Sequence, residues 1–379
     1  MLVKDLVAAM ERIAPLEHAE TWDKVGLLVG SSARELKGPV LLTIDLTERV
    51  LAEAERKKAG AIIAYHPPIF DPLARITNAS AQQRIVLRSI ELGLAIYSPH
   101  TALDAVPGGI CDWICEGLSG GSPGKIHGDC RALVPHPSRE PTQEVKIVTF
   151  LPSDKVDHVR NAMATAGAGI IGNYQVCSFS TPGTGTFLPL EGASPTIGKP
   201  GTLEHTAELR LEMVCSRLAL PLALQTLRRF HPYEEPAIDV YCLEPKPQRE
   251  FGPGRRLVLD RPATVRELAQ RLKTFLKTSS VRLAQAEHAG SIKTIGVCPG
   301  SGGDFASIAR QEGCEAYVTG ELSHHKVLAA LHSGMSVILG EHTGTERGYL
   351  PRLALRLKEL LPGLAVEHAE ADRDPLEPI

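Results

Sequence analysis

The sequence predicts an α/β protein: a three-layer sheet-and-helix core, split in sequence, with an inserted α+β domain of ferredoxin-like type. Three observations carry that prediction. The outer thirds alternate short apolar runs with amphipathic stretches, the mark of strands joined by packed helices. The middle third changes rhythm to β-α-β-β-α-β, the order of a split βαβ module. Gly/Pro-rich stretches, SGGSPGK at 119–125 and PKPQREFGPG at 245–254, mark the changeovers. The expected divisions are 1–124 and 251–379 for the two parts of the core and 125–250 for the insertion.

In the first part, MLVKDLVAAMERIAP places Leu2, Val3, Leu6, Val7, Met10 and Ile13 at helical spacing. PVLLTIDLT (39–47) is a buried strand, and ERVLAEAERKKA (48–59) a helix with Gly60 as its C-cap. AIIAY (61–65) is the next strand, and Pro67-Pro68 must end it because neither residue can donate to a ladder. SAQQRIVLRSIEL (80–92) is a helix capped by Gly93, followed by the strand LAIYSPH (94–100). In the middle, VKIVTFLP, TAELRLEMVC and AIDVYCLE are strands, with helices over 153–167 and 221–230. A Gly/Thr/Ser-rich stretch covers 180–201. In the last part, Thr264 and Glu267 form a capping box before the helix 265–277. IKTIGVCP, AYVTGE, MSVILGEH and LAVEH are strands, and a helix runs from about 345 to 361.

The chain has 379 residues, 43% hydrophobic and 22% charged, with a formal net charge of −3. That is enough chain for a sizeable core without staples. It offers no basic surface for nucleic acid and no run of about 18 apolar residues for a membrane. The helical N-terminus does not read as a secretion signal. The eight cysteines (111, 115, 130, 177, 215, 242, 298 and 314) contain no C-x-x-C pair and are expected as free thiols in a reducing cytoplasm.

The chemistry lies at strand ends. One strand runs into HTALD, with His100 and Asp104; another runs into EHTGTE, with His342 and Glu346. Both are H-T-x-x-[DE], and residues four apart share a face on a helical turn. His66 is a third strand-tip histidine. Ligands of open α/β sheets bind outside the carboxyl ends of the strands. Three imidazoles and two carboxylates there suit a divalent transition metal, and Zn, Fe, Mn and Ni are not distinguishable. Glu346 has two oxygens and could bridge two ions. Each piece also has a plainer reading: a strand-end His as a hydrogen-bonding residue, H-x-x-x-E as a helix-face pair.

Other stretches carry less. PGSGGDF (299–305) reads as a tight strand-to-helix turn, with an anion-holding loop as the alternative. TGELSHHK (319–326) offers His324 and His325, of which one is expected towards the cleft. TWDK places Trp22 and Asp23 before an apolar segment, with Asp23 either supporting the site or forming a turn. HPYEEPAIDVY (231–241) reads as a small acidic binding site or a rigid loop. Cys111 and Cys115 share a helix face and read as core residues.

Taken in order, WDKVGLLVG, DLT, HPPIF, HTALD, VTGELSHH and EHTGTERGYL resemble the Nif-three-like family, whose members carry the label GTP cyclohydrolase I type 2 homolog. GAGIIGNYQVCSFSTPGTGTF and HPYEEPAIDVY look like the insertion of its longer bacterial members. The resemblance implies a toroidal hexamer with dinuclear metal sites facing an internal cavity. It implies that His66 and Asp104 hold one metal, His342 the second, and that Glu346 bridges them, with His100 close by. The family usually has His-His-Pro where this chain has Tyr65-His66-Pro67, so Tyr65 stands at a ligand position of the second ion. One or two ions per chain are therefore expected. Lys24 likewise replaces the usual Asn of Trp-Asp-Asn.

Two functions lead, ahead of a weaker third, a scaffold that binds protein partners with the metal stabilising the fold. The first is a metal-dependent hydrolase acting on a nucleotide or phosphate-ester-like small molecule through metal-activated water, with His100 moving protons. Nothing in the chain supports the cyclohydrolase label itself. The second is a non-catalytic metal-binding or regulatory hexamer whose inserted domain senses a ligand or gates the cavity.

Overall fold

Val40–Thr43, Ala61–Ala64 and Ala95–Ser98 are buried at every position, as strands covered on both faces must be. They run parallel, in the order Ala95–Ser98, Ala61–Ala64, Val40–Thr43. Gly26–Val29 joins antiparallel at one edge and Val366–His368 parallel at the other, making five strands. A second sheet repeats the scheme: Ile292–Cys298, Ala316–Thr319 and Ser336–Leu339 are parallel neighbours. Arg282–Ala284 flanks them on one side, and Arg255–Ala263 then Gly128–Ala132 on the other, all antiparallel. The computed structural model describes residues 1–138, 142–244 and 246–376. It divides into two compact units, Met1–His136 with Gln248–Ile379, and Pro137–Pro247.

The first unit differs from the expected three layers. Helices Val3–Ile13, Ile110–Ser119, Val265–Leu276 and Leu350–Leu360 share one buried cluster with the facing sides of both sheets. Glu48–Arg56 and Ala81–Leu92 cover the outer face of the first sheet. Phe305–Gln311 and His324–His332 cover that of the second. The core therefore stacks five layers, helix-sheet-helix-sheet-helix. Alternating apolar periodicity says that a strand lies against a helix; it does not say to which sheet the strand belongs.

The capping signals hold with one exception. Thr264 Oγ1 accepts from the Glu267 N–H at 3.2 Å, and Glu267 Oε2 accepts from the Thr264 N–H at 2.7 Å, the two halves of a capping box. Gly93 caps its helix at φ 64°. Gly60 does not cap: helix Glu48–Arg56 ends at Lys57, and Lys58 takes the left-handed turn at φ 51°. Gly60 is required for space instead, because a Cβ there would lie 2.3 Å from the Lys37 carbonyl.

The second unit is a four-stranded antiparallel sheet, ordered Ile238–Cys242, Val145–Leu151, Glu204–Cys215, Phe179–Phe187. Helices Val156–Thr165 and Leu220–Phe230 pack on one face around Val159, Met163, Leu211 and Leu227. Strand Phe179–Phe187 is made of the Gly/Thr-rich stretch whose composition hides it. Among the described residues, no helix is long and apolar enough to cross a membrane. All eight cysteines are free.

Candidate metal centre

The site is assembled where the parallel strands of both sheets end. Beyond Ala61–Ala64 the ladder continues for two more bonds: Tyr65 N–H donates to Thr43 O at 2.9 Å and His66 N–H to Ile44 O at 3.0 Å. Pro67 then ends it, so His66 is the last residue fixed by the sheet. His342 and Glu346 follow strand Ser336–Leu339 on two short 3₁₀ turns, Thr343–Thr345 and Arg347–Tyr349, rather than on the expected α-helix. The turns still bring the pair together, with His342 Nε2 3.5 Å from Glu346 Oε1. His66 Nε2 lies 3.4 Å from Glu346 Oε2. Ligand atoms of His66, His342 and Glu346 all fall within 4.8 Å of one another.

Both imidazoles are aimed from behind. His66 Nδ1 is 2.9 Å from Asp45 Oδ1, and His342 Nδ1 is 3.0 Å from Glu321 Oε1. A carboxylate on one ring nitrogen fixes the ring and leaves the other nitrogen for a metal. Glu346 is 2% exposed, and its Oε2 finds no hydrogen-bond partner among the described residues. A buried carboxylate whose two oxygens each face an imidazole nitrogen fits a divalent cation. Gly300, at φ 59°, closes the floor: a Cβ there would lie 2.5 Å from Glu346 Oε1 and 3.2 Å from His342 Nε2. The PGSGGDF turn is thus the backbone against which the ligands pack. Glu341, just before His342, holds φ 62° and His100 holds φ 28°, backbone strain of the kind that gathers at functional sites.

The remaining expected residues form a second group. Tyr65 donates its hydroxyl to Asp104 Oδ1 at 2.8 Å. Burial, then the Asp104 and Glu346 charges, push the Tyr65 phenol well above its ordinary range. Burial also raises the Asp104 carboxyl to about 8; the Tyr65 hydrogen bond offsets this in part, and the Glu346 charge adds to it. Asp104 stands outside the three-residue cluster of His66, His342 and Glu346. His100 Nδ1 lies 2.8 Å from Asp23 Oδ2, which also accepts from the Thr101 hydroxyl at 2.6 Å. Burial opposes ionisation of Asp23, but the His100 and Thr101 contacts outweigh it and its pKa is lowered. The His100 ring stands edge-on to those of Tyr65 and His66, each 5.5 Å away. At His66, burial disfavours the charged ring, yet the Asp45 and Glu346 carboxylates raise it to about 10. A cation bound there would have to displace a proton.

His324 and His325 are both exposed and lie edge-to-face with each other at 5.8 Å. Sequence reasoning passed over Asp45, Glu321 and Gly300. The first two each stand two residues beyond an apolar parallel strand, the signal that located the histidines. A cavity of about 940 Å³ lies wholly in the second unit, lined among others by Phe150, Phe187, Glu208, Arg210 and Tyr233.

A family model described as Duf34/NIF3 (NGG1p interacting factor 3) matches residues 1–375. The chain belongs to the DUF34/NIF3 family. Among DUF34/NIF3 relatives, a Bacillus subtilis protein named GTP cyclohydrolase 1 type 2 homolog is 32% identical, covering 98% of this chain and 97% of its own. Human NIF3-like protein 1 is 34% identical, covering 100% and 92% respectively. Of solved structures, a Staphylococcus aureus protein matches with a TM-score of 0.72 at 25% identity, over 100% of this chain and 99% of that one. A Bacillus cereus protein related to NIF3 matches at 0.64 and 29%, with the same coverage. This DUF34/NIF3 chain therefore carries the family fold from end to end, inserted unit included.

Proposed function

We propose that His66, His342 and Glu346 hold a divalent transition metal and that the protein is a metal-dependent hydrolase of nucleotide or phosphate-ester-like small molecules. The observation that supports this most is the pair of Nε2 atoms, each backed by a carboxylate on Nδ1, that face the two oxygens of the buried Glu346 carboxylate, one each. A divalent ion bound there would lower the pKa of water and neutralise phosphate oxygens. The chain's own residues would do the rest. Asp45 and Glu321 orient the ligands, and the Gly300 backbone keeps the floor flat. His100, fixed to Asp23, stands where it can move a proton next to His66. Tyr65 donates to Asp104 and so fills, with a protonated phenol, the position where the family resemblance implies a second ligand. One tightly held ion per chain is the stoichiometry this favours.

Metal analysis of the purified protein, followed by a panel of phosphoesters and nucleotides, tests the proposal. About one ion per chain, lost in His66→Ala and Glu346→Ala without unfolding, and metal-dependent turnover are expected. Absence of a bound metal, or turnover that survives chelation, would refute it.

The regulatory reading draws on the 940 Å³ cavity in the inserted unit. Its β-α-β-β-α-β order and its strand order 4-1-3-2 support a ferredoxin-like assignment for that unit. Metal binding without turnover of any phosphoester, together with a small molecule captured by that cavity, would favour this reading. We further propose a hexamer, to be checked by light scattering, and a cytoplasmic location, consistent with eight free thiols.

A further inference from the structure

Two aromatic side chains at the metal centre have no structural task. Trp22 is 54% exposed and Phe70 is 56% exposed, yet their ring centroids are 5.9 Å apart. Large rings in contact with each other and with solvent bury little of their own surface, so the core does not explain them. Each is tied to the site through its own backbone. Trp22 precedes Asp23, the buried carboxylate that holds His100, and the Trp22 ring meets the His100 ring edge-on at 6.1 Å. Phe70 follows His66 across the stiff Pro67-Pro68 step, so it cannot wander far from that ligand. The aromatic surface is therefore continuous: Phe70, Trp22, His100, His66, each ring 5.5–6.1 Å from the next.

We propose that Trp22 and Phe70 bind a planar heteroaromatic ring of the substrate and seat its phosphate or ester end at His66, His342 and Glu346. This rests on the metal-hydrolase reading and narrows it, from phosphate esters in general to those carrying a nucleobase-like ring. Such a ring stacks on an aromatic face whatever its edge pattern. The tilt of 52° between Trp22 and Phe70 leaves an open wedge rather than a closed stack. A sugar phosphate without a base makes no use of that wedge.

The test titrates the metal-loaded full-length protein with AMP, GMP and ribose 5-phosphate, reading calorimetry and tryptophan fluorescence. The other tryptophan, Trp113, is 7% exposed and packs on Phe275 and Tyr349, so quenching reports Trp22. Both nucleotides should bind and quench; ribose 5-phosphate should bind more weakly and leave the emission unchanged. Trp22→Ala and Phe70→Ala should each weaken nucleotide binding roughly 5- to 150-fold, with ribose 5-phosphate unaffected. Trp22→Phe, which keeps a ring, should recover most of the loss. Nucleotides bound equally by wild type and both alanine variants would overturn the ring site and leave the hydrolase reading standing. So would ribose 5-phosphate bound as tightly as AMP. Failure of all three ligands on a protein shown to hold its metal would overturn the hydrolase reading and the ring site with it. A fall in oligomer mass in Trp22→Ala would assign the patch to subunit contact and overturn the proposal.

Discussion

Replacing Asp45 by Asn tests the way this site is supported, because Asp45 touches a ligand without belonging to the ligand set. Its Oδ1 accepts a hydrogen bond from the His66 Nδ1–H at 2.9 Å. The amide of Asn keeps the volume but loses the charge, and it can turn an N–H towards the ring. Supports of this kind are typically worth ten- to a hundredfold in metal affinity, about 1.4–2.7 kcal/mol. The structure provides an internal control. Asp45 is 34% exposed beside a His66 ring that is 24% exposed, whereas the Glu321–His342 pair is 47% and 34% exposed. Water screens the second pair more, so Glu321→Gln should cost tenfold or less. Competition with a chromophoric chelator for Zn²⁺ gives both affinities, and thermal melting of the metal-free proteins shows whether the fold is intact. An Asp45→Asn protein that binds Zn²⁺ like the wild type would refute the reasoning. So would a Glu321→Gln protein hurt more than Asp45→Asn.

Three further outcomes are expected. Gly300→Ala should abolish tight metal binding, since its methyl would press on Glu346 Oε1 and His342 Nε2, and its left-handed backbone should cost a further 1–2 kcal/mol or so; metal titration and melting separate the two effects. Asp372→Ala should lower both stability, by about 3 kcal/mol, and metal affinity, because Asp372 Oδ2 meets Arg347 at 2.5 Å and accepts from the Ile44 N–H at 2.8 Å, bracing the residues next to Glu346 and Asp45; denaturant melts with and without Zn²⁺ check it. In the inserted unit, burial lowers the His231 pKa, so below about pH 6.5 the unfolded chain takes up a proton that the folded one resists. Stability of that unit should be full above 6.5 and fall as pH drops through the lowered value, seen as faster amide exchange in strand Val145–Leu151 and removed by His231→Gln.

How much of this was legible in the sequence depends on what each signal can encode. His66, His100 and His342 were readable because an apolar strand followed by a proline or a H-T turn puts a polar side chain at a sheet's carboxyl edge. The two H-T-x-x-[DE] segments were readable as a repeat of chemistry, and a repeat of topology underlies it: each sheet has a parallel core, of four strands in the first and three in the second, and each puts histidines and carboxylates beyond its strand ends. The two-sheet stack itself was not legible, because periodicity records which face of a strand is apolar and not which partner lies beyond it. Nor was the role of Gly300, since a glycine that opens a turn and a glycine that yields space to a ligand have the same letter.

Tyr65 shows where sequence comparison and geometry have to be joined. By position it stands where relatives are expected to place a histidine, and by position alone it reads as a weak ligand. Its surroundings oppose that use. The phenol is fully enclosed, and the nearby charges of Asp104 and Glu346 favour the protonated form. A ligand to a cation would have to be the oxygen that here donates to Asp104. The same hydrogen bond engages Oδ1 of Asp104, so the tyrosine acts on the neighbouring carboxylate as well as on its own position. The strand tip Tyr65-His66-Pro67 thus encodes an asymmetric centre: His66 faces Glu346, while its neighbour faces Asp104 and holds it in a hydrogen-bonded pair.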